Sequence, residues 1–470
     1  MSTLFALMLV ACGGSGSGQV SSPTSSVNTT PTASVVDLTQ AKLLSDSELS
    51  SNPFPNLPPP PADEMAWLQS HHHKIRSLKY DQDFSDLSFL EHLLNGKRIV
   101  QLGESSHGTR EFSQAKVRLI KYLHEKLGYN VIAFESSTIG CYMQELELAQ
   151  GRSFPVNQSC IFGVWSSREV QDLFTYIEQT RKTNKPLYLA GFDEQYSNQF
   201  DQANLVKSWA QTAITQIDDP ALKVLPTVLD QGTQIGQLGV NCVTDKASPD
   251  CASFFASYQS KAAELANLAQ ALTPYIERAT GSNKQTLEML QLVTINLQKR
   301  LEVTKQNYDR VGYLEPRDRV MADNITTLAN RIYPQEKIMV WAHNGHISHS
   351  ISGYVDTGRT MGSFLAATWG PQLYSIGLFM LRGETANNDR SIVQVQPLLG
   401  NSIETYAASL HLAAVFIPFP AQNQIGSGDD WLFRPINFYT WGKYPSQAPI
   451  TEQFNAVLVI DHSSMPDYVR

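Results

Sequence analysis

The sequence predicts an α/β fold: a central, mainly parallel sheet covered by helices, with a large helical insertion forming a lid or second lobe. Three observations carry this expectation. Apolar runs at Ile99–Leu102, Asn130–Phe134, Pro186–Phe192 and Lys337–Ala342 have the length and character of buried strands. Helical spacing lies between them: Phe112, Ala115, Leu119, Ile120, Leu123 and Leu127 form one stripe, with Gly128 as the stop. Between about 200 and 331 the chain shows helical stretches and no convincing strand, which places the insertion there.

Taken from the start, Leu4–Ala11 is an apolar run too short to span a bilayer but long enough for the core of a signal peptide. It runs into Leu9-Val10-Ala11-Cys12-Gly13, which resembles a bacterial lipobox with Cys12 as the lipidated residue, although no Lys or Arg precedes the run. Residues 1–12 are therefore expected to be a lipoprotein-type signal segment and 13–62, rich in Gly, Ser, Thr and Pro, a tether. Residues 63–470 form the expected catalytic body of an exported cell-envelope or periplasmic protein, held to a membrane by its N-terminal lipid.

The remaining cysteines fit export. Cys242 and Cys251 flank a polar turn and read as a local disulfide, which leaves Cys141 with Cys160; four cysteines allow three connectivities. No CxxC pair suggests a structural zinc site. His71-His72-His73, at the end of an expected helix from Ala62, reads as a solvated face. The net charge of -8 disfavours nucleic acid as a partner.

A second expected helix, Glu169–Lys182, leads into the run at Pro186. Helices are expected at Asp201–Ile217, Ala252–Ile276 and Asn283–Asn307, with another starting at Pro316 or Arg317 and reaching Ile332. Strand character returns at Leu373–Leu381, Ile392–Val395, Ala413–Ile417 and Ala456–Ile460.

The chemistry sits where the apolar runs end. Gly103-Glu104-Ser105-Ser106-His107-Gly108-Thr109 follows the first run, Glu135 the second, Asp193-Glu194 the third, and His343 with His346 the fourth. Open α/β sheets build their sites at the carboxyl edge of the strands, so these groups are expected in one pocket. Arg317-Asp318 joins them at a helix start. A histidine can deprotonate water near neutral pH, a nearby carboxylate fixes its tautomer, and Arg317, a protonated His343 or the backbone N–H groups of the Gly103–Thr109 loop can meet a developing oxyanion. The sequence contains no G-x-S-x-G elbow, so Ser105 and Ser106 are read as loop-shaping residues.

These segments, with Arg110-Glu111-Phe112, Met321-Ala322-Asp323-Asn324 and Trp341-Ala342-His343-Asn344-Gly345-His346, resemble the erythromycin esterase family from Trp67 to the C-terminus. The resemblance implies a hydrolase in which a histidine activates water without covalent intermediate, cofactor or required metal. It implies His107 as general base, Glu104 as its acidic partner, Glu135 as an orienting or polarising group and His343 as a second catalytic imidazole. Arg317 would face the carbonyl oxygen or the pocket acids, with His346, Asp193 and Asp318 in the pocket wall. The expected substrate is a small-molecule ester or lactone, with a macrolide as one candidate. A metal-dependent hydrolase using the same Glu/His cluster and a non-catalytic ligand-binding lipoprotein are the competing readings.

Overall fold

Strand residues alternate between two apolar cores, and that alternation fixes the architecture. Ile99, Val131, Ala133, Ile338 and Val340 enter one core, while Val100, Leu102, Ile132, Phe134, Met339 and Trp341 enter the other. A sheet apolar on both faces must be covered on both, which is why its strands read as continuous apolar runs. The computed structural model describes residues 58–196, 203–350, 358–396, 398–422 and 426–469.

Among these residues the strands are β1 His73–Lys74, β2 Ile99–Leu102, β3 Tyr129–Ser137, β4 Tyr188–Asp193, β5 Lys337–Trp341, β6 Leu373–Ala386, β7 Ile392–Gln394, β8 Ala414–Pro418, β9 Pro435–Thr440, β10 Tyr444–Pro449 and β11 Ala456–Ser463. The main sheet runs β1-β8-β11-β6-β2-β5-β3-β4, with β7 extending β6 and β9–β10 forming a separate hairpin. From β11 to β4 every neighbouring pair is parallel; β8 and β1 close the other edge in antiparallel register. The carboxyl ends of β2, β5, β3 and β4 therefore lie side by side.

Helices α1 Ala62–His71, α2 Phe89–Leu93, α3 Arg110–Leu127, α4 Thr138–Ala149 and α5 Arg168–Thr180 accompany the first four strands. The expected stop at Gly128 is a left-handed cap (φ 70°) whose N–H reaches the Leu123 carbonyl. Between β4 and β5 come α6 Ala203–Ala213, α7 Leu225–Thr244, α8 Asp250–Ala271, α9 Thr273–Arg278, α10 Gly281–Asp309 and α11 Glu315–Thr327, so the insertion is helical as expected. Two details differ from the sequence reading. The stretch 252–276 divides at Thr273-Pro274, because proline fits the first turn of a new helix better than the interior of an old one. The helix α7 was not anticipated, since its glycines at 232, 236 and 239 lower helical propensity. Cβ atoms at Gly232 and Gly239 would collide with Leu297 and with Phe254 and Thr304, so these glycines let helices approach closely. Helices α12 Asn344–Ile347, α13 Met361–Trp369 and α14 Ile403–Ala408 complete the set.

Cys141 pairs with Cys160 and Cys242 with Cys251. His71 stacks on Trp67 and His73 on Phe89. Cys12 and most of the tether lie outside the described residues. No helix among the described residues is long and apolar enough to cross a membrane.

Candidate active site

The loop from Gly103 to Thr109 is pressed against neighbouring backbone. A Cβ at Gly103 would lie 2.1 Å from Asn344 Oδ1, and one at Gly108 would lie 2.2 Å from the Ala386 carbonyl oxygen. The N–H groups of Gly103 and Ser105 donate to the Ile376 and Leu378 carbonyls of β6, and that of Gly108 to Ser106 Oγ. These donors are committed to holding the loop.

Held this way, Glu104 is fully buried. Its Oε1 accepts from His107 Nδ1 (2.7 Å) and from the Trp165 indole N–H (2.7 Å), and Lys116 Nζ lies 2.6 Å from its Oε2. Burial pushes the Glu104 carboxyl up, but Lys116 and His107 outweigh it and hold it below the usual carboxylate range. Burial also brings the Lys116 ammonium down to about 8, against the pull of Glu104. An ionised Glu104 accepts the Nδ1–H of His107, which leaves Nε2 as the free basic nitrogen. That nitrogen carries no hydrogen bond among the described residues, and the ring is 9% exposed.

His343 follows β5. Its backbone N–H donates to Glu135 Oε2 (3.0 Å), and its Nδ1 accepts from the Gly345 N–H (3.1 Å). Acceptance at Nδ1 assigns the proton to Nε2, which has no partner among the described residues. Burial first, then the like charges of His107 and His346, lower its pKa to about 3. The expectation of a protonated His343 is therefore corrected: a buried imidazole between two others stays neutral and offers an N–H. The His107 and His343 ring centroids are 5.1 Å apart.

Beneath this pair lies a fully buried ion network. Pairing of β3 with β4 slips between Phe134 and Ser137, a bulge that spans Glu135. Glu135 Oε1 accepts from Arg317 Nη2 (2.9 Å) and lies 3.3 Å from His346 Nε2. Arg317 also bonds Asp193 through Nε (3.1 Å) and Nη2 (2.5 Å). His346 Nδ1 donates to Asp318 Oδ1 (2.8 Å), which accepts the Met361 N–H as well. Burial opposes charge on His346, but Asp318 and Glu135 raise its pKa to about 10. With both nitrogens protonated, the 3.2 Å approach of Arg317 Nη1 to Nε2 is a contact rather than a hydrogen bond. Glu135 is held well below its ordinary range: burial works against this, and His346 and Arg317 overcome it.

A histidine raised this way stabilises the fold fully below its ordinary pKa of 6.5 and loses that contribution as pH climbs through about 10. The stability gap between wild type and a His346→Gln variant is expected to narrow from pH 6.5 to pH 10, read by urea unfolding. A gap independent of pH would mean that His346 is not an imidazolium.

Glu104, His107, Glu135 and His343 thus meet at the sheet edge, while Arg317, Asp193, Asp318 and His346 form the layer below, engaged with one another. Sequence reasoning missed Lys116, Trp165 and Trp441. The Trp441 ring lies edge-on to His107 (5.4 Å) and near-parallel to His343 (5.7 Å). Lys116 left a signal, because it shares a helix face with Phe112 and Ile120, four residues to either side, where a cation is out of place. Trp165 and Trp441 sit in segments without periodicity.

Carboxylates, imidazoles and an arginine gathered at the carboxyl edge of a mostly parallel sheet, with a helical insertion between β4 and β5, are the arrangement of an α/β enzyme. The erythromycin esterase family profile matches residues 124–463, and the chain belongs to that family and is a hydrolase. The matched region holds Glu135, Asp193, Arg317, His343 and His346; Glu104, His107 and Lys116 precede it. The chain is 28% identical over 413 residues to the putative hydrolase YbfO of Bacillus subtilis, covering 84% of this chain and 90% of that protein. It is 22% identical over 334 residues to the erythromycin esterase type II of Escherichia coli, covering 68% and 78%. A mutant of the erythromycin esterase EreC, solved in its open conformation, superimposes with a TM-score of 0.63 at 17% identity, covering 85% of this chain and 99% of its own, a likeness of fold.

Proposed function

We propose that the protein hydrolyses a carboxylic ester or lactone by direct attack of water. The observation that carries this reading is the His107 ring, tied through Nδ1 to an ionised Glu104 with Nε2 free, facing a neutral His343. Water bound at His107 Nε2 gives up a proton to that nitrogen as its oxygen adds to the carbonyl carbon. The oxyanion that forms accepts a hydrogen bond from His343 Nε2–H, a donor that costs no reorganisation because it is already fixed. The imidazolium of His107 then protonates the departing alkoxide as the acyl C–O bond breaks, giving acid and alcohol. Glu104, clamped by Lys116 and Trp165, keeps the ring in the basic tautomer throughout. Arg317 and His346 hold Glu135, which in turn fixes the His343 backbone.

The leader reading completes the proposal: an exported lipoprotein tethered through Cys12, acting on small-molecule substrates that reach the cell envelope. Among the described residues no group of three His, Cys, Asp or Glu has the geometry to hold a metal, and the carboxylates of this centre already face cations or imidazoles.

Hydrolysis of simple aryl and alkyl esters and of a macrolide, with and without chelator, tests the reading. Turnover that survives chelation is expected. Turnover that is abolished by chelator and restored by a divalent cation would replace it with metal-assisted hydrolysis, and ligand binding without any turnover would make the pocket a binding site.

A further inference from the structure

Trp441 occupies a conformation that tryptophan rarely adopts. It opens the turn between β9 and β10 with φ 58°, followed by Gly442 at the same φ, and Lys443 N–H closes the turn onto the Thr440 carbonyl. Tight hairpins with two left-handed central residues favour Asn-Gly because most side chains clash there, and a bulky ring in the first position is strained. The surroundings hold the strain in place. Trp441 N–H donates to the Ser105 carbonyl (2.6 Å), inside the loop that carries Glu104 and His107, and Gln396 N–H reaches the Gly442 carbonyl (2.8 Å). Strain kept by such over-determination marks functional positions.

The indole it holds is 4% exposed, and its Nε1–H has no partner among the described residues. Trp341 and Trp431 also have unpartnered indole nitrogens, but their rings stack on Phe134 and Tyr406 and their backbone is ordinary. Among the described residues only Trp441 combines an unsatisfied indole N–H, strained backbone and contact with both imidazoles. Two buried N–H groups without partners, Nε1 of Trp441 and Nε2 of His343, therefore belong to rings 5.7 Å apart beside the base. A desolvated donor left unsatisfied is costly to the free protein and is available to an acceptor that arrives with substrate.

We infer that Trp441 is a catalytic residue of this centre: its indole N–H and His343 Nε2–H together bind the substrate carbonyl oxygen and the oxyanion that replaces it. This rests on the ester-hydrolysis reading above. It also explains why the Gly103 and Ser105 N–H groups can be spent on β6, since the oxyanion site is made from side chains.

The test is Trp441→Phe, which keeps an aromatic ring and deletes the donor, assayed on an aryl ester that wild type hydrolyses. Removing one oxyanion donor is expected to lower kcat by about 10²-fold. KM and the thermal midpoint should stay close to wild type, and affinity for an alkylphosphonate mimic of the tetrahedral intermediate should fall with kcat. A folded variant with unchanged kcat and phosphonate affinity, or one altered in KM alone, overturns the inference. If Trp441→Phe does not fold, benzothienylalanine at position 441, which replaces only the N–H by sulfur, decides by the same criteria. Wild type that hydrolyses no ester would be a different failure, that of the hydrolytic reading itself, and the inference would fall with it.

Discussion

On the proposed ester hydrolysis, replacing His107 by glutamine is expected to lower kcat/KM by about 10²–10⁴-fold, the usual contribution of a positioned base. The side chain is buried, bonded to Glu104 and ringed by Trp165, His343 and Trp441 at centroid distances of 5.1 to 5.4 Å. Glutamine can still donate to Glu104, so the thermal midpoint should move little. It has no basic nitrogen to take the proton from water, so the loss should appear in kcat. Steady-state kinetics beside a melting curve separates the two. A folded His107→Gln enzyme with wild-type turnover would show that the base lies elsewhere.

Arg317→Met is expected to destabilise the fold by about 3–5 kcal/mol, because it strips the cation from buried carboxylates that were desolvated around it. Asp193 would lose its Nε and Nη2 bonds, and Glu135 would keep only His346 and the His343 N–H. Arg317→Lys should recover part of the loss, since an ammonium restores charge but not the planar fork. Urea unfolding reads the effect. A variant with unchanged stability and only a raised KM would instead make Arg317 a substrate contact.

Legibility in the sequence followed physical locality. Apolar runs ending in ionisable groups at 104, 135, 193 and 343 announced a parallel sheet and its edge, because strand burial and edge chemistry are both written within ten residues. The depth of Arg317 and His346 was not readable: whether an arginine faces substrate or carboxylates depends on strand order, and β5 lies between β2 and β3 through pairings more than 200 residues apart in sequence. Lys116 was hidden by the assumption that a lysine on a helix is solvated. The hairpin 435–449 was overlooked because its strands carry Pro435, Pro445 and Pro449 and its turn has Trp where Asn would signal a turn. That omission removed Trp441, the ring nearest both imidazoles from the C-terminal part of the chain.

The helical insertion leaves the sheet after β4 and returns at β5, and both strands flank β3. Its entry and exit are thus close neighbours, so the segment behaves as an exchangeable cartridge. Its final helix is the exception, because α11 supplies Arg317 and Asp318 to partners on the sheet and at the start of α12. A recombination boundary placed between α10 and α11 would therefore exchange α6–α10 while leaving Arg317, Asp318 and their partners in place, which gives this scaffold a seam along which the insertion can diversify without rebuilding the charged layer.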